Sequence, residues 1–251
     1  MAAKERWLER RCGYLSASML GQITSASGKI IDGNLSAIRQ KRFERRFGFS
    51  LPVTSRQMEI GIETEPYIIE WFRANHSELP ILYSSEDFED IPFWEVPWAK
   101  FGASPDAFTA NEKIVVECKT VVSNTYIEFF LDEYTSYEEK KAEVWSEHGD
   151  QLLGQFLSNP KVEEIWLVKY IPQNDDILKD TDSPLAPWRG LVFKFERADY
   201  GSSIDAMKER ICLIDAMIDS HINPSKFKEG EWYLSEEGEL KHKDAKKTRT
   251  K

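Results

Sequence analysis

The sequence has little cysteine and no pattern that would use it. Cys12, Cys118 and Cys212 form no C-x-x-C pair, and an odd count at wide spacing gives neither a disulfide framework nor a zinc knuckle. A reducing, cytoplasmic setting is the expectation. The N-terminal MAAKERWLERRCG lacks the apolar run of roughly 7 residues that a secretory signal requires. No segment approaches about 18 consecutive apolar residues, so no membrane partner is expected. There is no internal repeat. The absence of a G-x-x-x-x-G-K-[ST] loop excludes a P-loop nucleotide hydrolase. His76, His148, His221 and His242 are scattered without H-E-x-x-H spacing, which argues against zinc. Of the four, His148 alone lies near a candidate site residue, Gln151. Net positive charge is lacking too: Lys+Arg is 33 against 43 Asp+Glu, a balance of −10. That excludes a chain that coats nucleic acid by bulk charge, but not one that holds it in a locally basic groove.

What is present is ordinary globular composition: 251 residues, 41% hydrophobic and 30% charged. Apolar spacing predicts helices over Lys4–Arg10, Leu35–Phe47, Asn124–Leu131, Ser136–Leu157 and Ser203–Ile222. Another helix is expected to begin near Pro66, where a first turn tolerates proline, and to bury Ile68, Ile69 and Phe72. Strands are expected at Ile81–Tyr83, Trp98–Phe101, Ala107–Ala110, Lys113–Glu117, Ile165–Ile171 and Gly190–Phe195, with Asn111-Glu112 as a turn. Pro172–Pro187 reads as a polar loop. The order favours a single α/β (α+β) domain over residues 1–230, a central mixed β-sheet flanked by helices. Residues 231–251 read as a basic, flexible tail, with Lys241, Lys243, Lys246, Lys247, Arg249 and Lys251 against Asp244. In Leu35–Phe47 the cations Arg39, Lys41, Arg42, Arg45 and Arg46 form the densest positive cluster before the tail, and Phe43 and Phe47 fall on one face, read as its core-facing edge. Trp94 and Trp98 are read mainly as packing residues.

The stretch Gly102–Thr120, GASPDAFTANEKIVVECKT, carries the chemistry. A hairpin through Asn111-Glu112 would set Asp106 beside Glu117. Glu117 and Lys119 are two apart on a strand and share a face. Two carboxylates and a lysine on one partly buried face cost several kcal/mol unless a ligand compensates them. A divalent cation would, and carboxylates with water are what Mg²⁺ prefers. Such an ion polarises a phosphoryl oxygen and activates water, while the lysine orients or deprotonates that water and stabilises developing charge.

The Ser104-Pro105-Asp106 and Glu117-Cys118-Lys119 pair resembles the PD-(D/E)xK nuclease core, whose fold is restriction-endonuclease-like. The wider set is similar to the phage lambda exonuclease branch, the YqaJ-type viral recombinase family. Arg11–Ser18, RCGYLSAS, resembles its R-x-G-x-x-x-A-S box. Gly61–Glu65, GIETE, resembles a G-x-x-x-E box at a helix start, and Asp150–Gln155, DQLLGQ, a glutamine-containing helical box. Ala107 stands where the family has glycine, which removes no ligand.

The resemblance implies Asp106, Glu117 and the Cys118 main-chain carbonyl as metal ligands, Lys119 as catalytic lysine and Glu65 as a further acid at the site. Gln151 and Gln155 would line the site and hold Lys119 or substrate. Arg11, Ser18 and Ser104 would form a 5′-phosphate pocket, and Met58 would be an apolar wedge at the duplex end. The expected activity is a Mg²⁺-dependent exonuclease, with Mn²⁺ able to substitute. It would degrade one strand of linear double-stranded DNA from a 5′-phosphorylated end, 5′ to 3′, leaving 3′ overhangs for single-strand-annealing recombination. A homotrimeric ring, a single-strand annealing protein as partner, and a phage or prophage source in a bacterial host are further implications. A structure-specific or restriction-type endonuclease, or a non-catalytic DNA-binding module, are the alternatives. Positive charge at Arg11, Lys119, Arg39–Arg46 and the tail leads to the expectation of a basic channel inside an acidic exterior.

Overall fold

The apolar run Ile114-Val115-Val116 occupies the middle strand of a five-stranded mixed sheet. The computed structural model describes residues 3–23, 35–50, 55–121, 123–172, 183–223, 226 and 231–243. Before the sheet come α1 (Ala3–Arg10), β1 (Leu15–Ser16), α2 (Ala17–Ile23), α3 (Leu35–Phe47) and α4 (Arg56–Asn75). Then follow β2 (Ile81–Tyr83), β3 (Trp94–Glu95), β4 (Phe101–Ala103), β5 (Ala107–Thr109), β6 (Ile114–Thr120), α5 (Asn124–Leu131), α6 (Tyr137–Ser158), β7 (Glu164–Tyr170), β8 (Gly190–Glu196) and α7 (Gly201–Asp219). A hairpin of β9 (Trp232–Leu234) and β10 (Leu240–His242) closes the described chain. The main sheet runs β2-β5-β6-β7-β8, and a small one runs β1-β4-β3.

Strands β6 and β7 are parallel; the other neighbours in the main sheet are antiparallel. A parallel pair needs a long crossover, and α5 with α6 supplies it. The β5–β6 link is short instead. Asn111 Oδ1 accepts from Thr109 Oγ1 at 2.7 Å and Lys113 N at 3.1 Å, and Glu112 adopts φ 60° to close the turn. Helix α6 begins at a capping box, where Ser136 and Glu139 satisfy each other's backbone N–H groups.

The strand period of 2 sends Val115 to one face and Val116 to the other. Val115, Ile165, Leu167, Phe193 and Phe195 pack with Leu152 and Phe156 of α6 and Ile211 and Ile214 of α7. Val116, Trp166, Val168 and Tyr170 pack with Ile68, Ile69, Trp71 and Phe72 of α4. The sheet is thus covered on both faces, in one α/β domain. Helix α2 lies close on α6 at Gly154, where a Cβ would come within 2.8 Å of Leu20 and 2.9 Å of Ala17.

Four expectations need correction. Helix α4 starts at Arg56, capped by Ser55, whose hydroxyl accepts from Met58 N at 3.2 Å. Pro66 is therefore interior and the GIETE box is mid-helix rather than at a helix start. The proline forgoes one backbone bond, but buried residues on both sides of it, from Thr64 to Phe72, hold the helix. The strand placed at Trp98–Phe101 lies at Phe101–Ala103, because Phe101 N bonds back to Ala99 O at 2.8 Å in a tight turn. Residues from 231 open with the β9–β10 hairpin, whose Trp232 and Leu240 pack on the core, so the segment read as a flexible tail is partly structured. Phe47, read with Phe43 as core-facing, is exposed, as is Phe49, while Phe43 is half-buried against both rings. Residues 173–182 of the polar loop and 244–251 of the basic tail lie outside the described residues.

Candidate active site

Strand periodicity and register assemble the acidic cluster. Val115, Glu117 and Lys119 point to the α6 side of the sheet. Ala107 stands opposite Val116, so Asp106, one residue earlier, falls beside Glu117. Asp106 Oδ2 accepts from Cys118 N at 2.7 Å. Glu117 is buried, with 3% of its surface exposed. Its Oε1 accepts from Gln151 Nε2 at 2.5 Å and from Lys119 Nζ at 2.7 Å. Its Oε2 accepts from Gln155 Nε2. Gln151 and Gln155 are one turn apart on α6, so one helical face supplies both amides. Of the expected partners, Lys119 or substrate, neither amide bonds Lys119; both bond Glu117. A carboxylate with several donors is strongly fixed.

Glu65 of α4 completes the group. The Tyr83 and Ser85 hydroxyls lie beside its carboxylate and favour its charged form. Burial raises the Glu65 carboxyl above its usual range, and the Glu117 charge adds to this against the hydroxyls. Burial also drives Asp106 well above the usual carboxylate range, reinforced by Glu117 and Glu65. Burial alone would lower Lys119, but Glu117 and Asp106 outweigh it and its ammonium form is favoured.

A divalent cation fits this donor set chemically. Three mutually repelling carboxylates sit together, and Asp106 Oδ1 accepts from no described donor. Among the described residues no three His, Cys, Asp or Glu side chains converge tightly enough to cage a metal by themselves. Asp106 and Glu117 would offer an ion one or two carboxylates, with other oxygen donors completing its shell, a donor type that Mg²⁺ accepts.

A second polar rung ties α6 to the sheet and was missed in the sequence. Lys169 of β7 pairs in register with Lys119 and is 5% exposed. Its ammonium donates to Glu147 Oε2 at 2.6 Å and lies 2.7 Å from His148 Nε2. His148, 3.3 Å away, and Lys169 outweigh burial and bring Glu147 down to about 2. Burial, with the charges of Lys169 and Lys119, lowers His148 and favours its neutral form. The signal available was a lone lysine inside the apolar strand IWLVKYI.

The Arg11–Ser18 box folds beside the SPD strand, since Leu15 and Ser16 pair with Phe101 and Gly102. The Arg11 guanidinium lies 4.1 Å from the Trp7 ring centroid, and Trp7 Nε1 donates to Ser104 Oγ at 2.8 Å. Trp7 thus links Arg11 to Ser104 and is a residue the motif reading overlooked. Burial lowers Arg11 to about 10, with Glu44 opposing. Ser18 is exposed, its Oγ 3.1 Å from Ser16 Oγ. Met58 is exposed in the first turn of α4, on the helix that carries Glu65.

The positive cluster of α3 is largely engaged within the fold. Arg42 donates to the carbonyls of Met217, Ile218 and Ile222 at the end of α7. Arg45 pairs with Asp215 and Asp219, and Lys41 with Glu44. Arg39 and Arg46 remain exposed. The share of the expected basic channel assigned to Arg39–Arg46 therefore rests on fewer cations than their count implied.

No protein-family model matches the sequence, and no curated protein matches it. Solved structures do match. An alkaline exonuclease from Laribacter hongkongensis aligns over 86% of this chain and 94% of its own, with a TM-score of 0.59 and 16% identity. The same enzyme in complex with dAMP aligns with a TM-score of 0.57 and 17% identity, over 86% and 94% of the two chains. A phage-related exonuclease from Haemophilus somnus 129PT gives 0.58 and 17% identity, covering 82% and 93%. The chain therefore shares the fold of these proteins. Among the described residues no helix is long and apolar enough to cross a membrane.

Proposed function

We propose that the protein is a metal-dependent deoxyribonuclease, an exonuclease that hydrolyses one strand of linear double-stranded DNA. The observation that supports this most is the convergence of Asp106, Glu117 and Lys119 at adjoining strand positions, with Gln151 and Gln155 fixing Glu117, in a fold shared with exonucleases.

Asp106 and Glu117, with the Cys118 carbonyl, would hold Mg²⁺ or Mn²⁺, and Glu65 would add negative charge beside them. The bound ion would supply Lewis-acid polarisation of the phosphoryl group and a water of lowered pKa. The protein does the rest. The two glutamines and Lys119 keep the Glu117 carboxylate in one orientation. Lys119, held as an ammonium, orients the attacking water and stabilises the charge that develops on the phosphoryl oxygens. Arg11 and Ser104, linked through Trp7, with Ser18, would take a terminal 5′-phosphate, since a guanidinium and hydroxyls suit a dianion. Met58, exposed at the start of α4, would wedge the duplex end. We read the polarity as 5′ to 3′, leaving 3′ overhangs for strand annealing, with a homotrimeric ring as the assembly and an annealing protein as partner.

Strand-by-strand digestion of end-labelled linear duplex, with and without 5′-phosphate, tests this. The expected result is cation-dependent loss of one strand, abolished by Lys119→Ala. Arg11→Ala should slow the reaction most on phosphorylated ends. Full activity of Lys119→Ala, or equal cutting of closed circular DNA, would refute the reading.

A further inference from the structure

The outer side of α3 is unusual for a solvated helix face. Ala37, Ile38, Lys41 and Glu44 turn inward, while Arg39, Phe43, Arg46 and Phe47 share the opposite side at helical spacing. Phe47 is 54% exposed and Phe49 52%. Gly48 ends the helix at φ 75°, a conformation that favours glycine, and its N–H bonds Glu44 O at 2.8 Å. That turn folds Phe49 back, its ring centroid 5.2 Å from Phe43 and 6.5 Å from Phe47. Phe43 and Phe47 lie 4.7 Å apart. Capping accounts for the contact between Phe49 and Phe43, because a hydrophobic touch back onto the last turn accompanies such ends. It does not account for Phe47, whose ring stays open beside the Arg46 guanidinium at 5.4 Å.

We propose that this face is a stacking platform for single-stranded DNA. Open aromatic rings offer π-faces that any base can use. Arg39 and Arg46 make no ion pair among the described residues, unlike Lys41 and Arg45, and can neutralise phosphates in a chain of net charge −10. Phenylalanine interleaved with arginine favours a polyanion with exposed bases over an apolar protein surface. Helix α3 adjoins the Arg11–Ser18 box through its inner side, with Gly13 N donating to Glu44 Oε2 at 2.9 Å and Arg45 Nε donating to Gly13 O at 2.8 Å, which leaves the aromatic side open to solvent. The platform rests on the nuclease reading, because degrading one strand of a duplex leaves the other single.

The test is fluorescence anisotropy of the full chain with a labelled oligothymidylate of about 16 nucleotides, in EDTA over a salt series. Wild type should bind saturably. The double variant Phe47→Ala/Phe49→Ala should lose roughly tenfold or more in affinity, with its salt slope unchanged. Phe47→Leu/Phe49→Leu, which keeps apolar bulk but no π-face, should lose affinity as well and retain the wild-type melting midpoint. Arg39→Ala/Arg46→Ala should flatten the salt slope by about 1.4, the share of two phosphates on a single strand. Absence of wild-type binding, wild-type affinity in either phenylalanine variant, or altered sedimentation with strand binding intact would overturn the proposal; the last would make the face a protein contact. Binding in EDTA requires no cleavage, so failure of the nuclease reading would show separately, in the digestion with Lys119→Ala.

Discussion

Replacing Gln155 by leucine separates what the α6 amides do for folding from what they do for the site. Gln155 is 1% exposed. Its Nε2 donates to Glu117 Oε2, while its Oε1 meets no protein donor among the described residues. An ionised carboxylate accepts only, which fixes the amide orientation. Leucine removes a hydrogen bond to a charged group, worth about 1.5–3 kcal/mol, and also an unsatisfied buried acceptor that costs about 1–3 kcal/mol. The two offset, but Glu117 Oε2 is left buried without that donor, which costs about 1–3 kcal/mol. Helix propensity is almost unchanged, so stability should fall by about 1–3 kcal/mol. Function should not be spared. Glu117 keeps Gln151 and Lys119, both on Oε1, and becomes free to rotate about that end. Loss of a group that orients a metal ligand costs roughly 10–100-fold in affinity or activity. The assays are urea unfolding, calorimetric titration with Mg²⁺, and duplex digestion. A stability loss beyond about 3 kcal/mol, the full value of the lost bond, together with unaltered cation binding would refute this account of Gln155.

Asp106→Asn should abolish cation binding yet stabilise the metal-free protein. The folded carboxyl titrates above its unfolded value of 3.8, so its charged form is penalised as pH rises past that point. The gain should be largest at alkaline pH and vanish in acid, read by melts in EDTA; a pH-independent difference would contradict it. Glu147→Gln should show the opposite sign. The Glu147 carboxylate is depressed from 4.5 to about 2, so its stabilisation is present near neutrality and fades as pH falls between those values. Urea melts across that window check it, and an effect that grows in acid would be wrong. Gly154→Ala should push α2 away from α6, where the new Cβ would meet Ala17 and Leu20. Overpacking of roughly 1–3 kcal/mol exceeds a helix-propensity gain of about 1 kcal/mol, so the melting midpoint should fall.

The elements were legible where a local rule governs them. Leu35–Phe47 and Asn124–Leu131 are helices at the bounds their apolar spacing indicated, and Ser136 opens α6 through its capping box. Pro66 misled because a proline reads as a boundary, whereas the packing of Ile68, Ile69, Trp71 and Phe72 against the sheet carries α4 through it. Lys169 stayed hidden because its partners, Glu147 and His148, are distant in sequence and meet it only when α6 lies on β7. Arg42 and Arg45 looked like a nucleic-acid patch because counting charges does not reveal that α7 ends against them.

By itself the sequence determined what depends on period and neighbours along the chain. Glu117 and Lys119 must share a strand face, and Gln151 and Gln155 must share a helix face, because the repeats of 2 and 3.6 residues are fixed by backbone geometry. The tertiary structure decided the rest. It placed β7 so that a second lysine stands next to Lys119, and it left Phe47 exposed. Local periodicity says which side chains travel together. Which way a face points follows from burying all the apolar faces at once, and no short stretch of sequence contains that information.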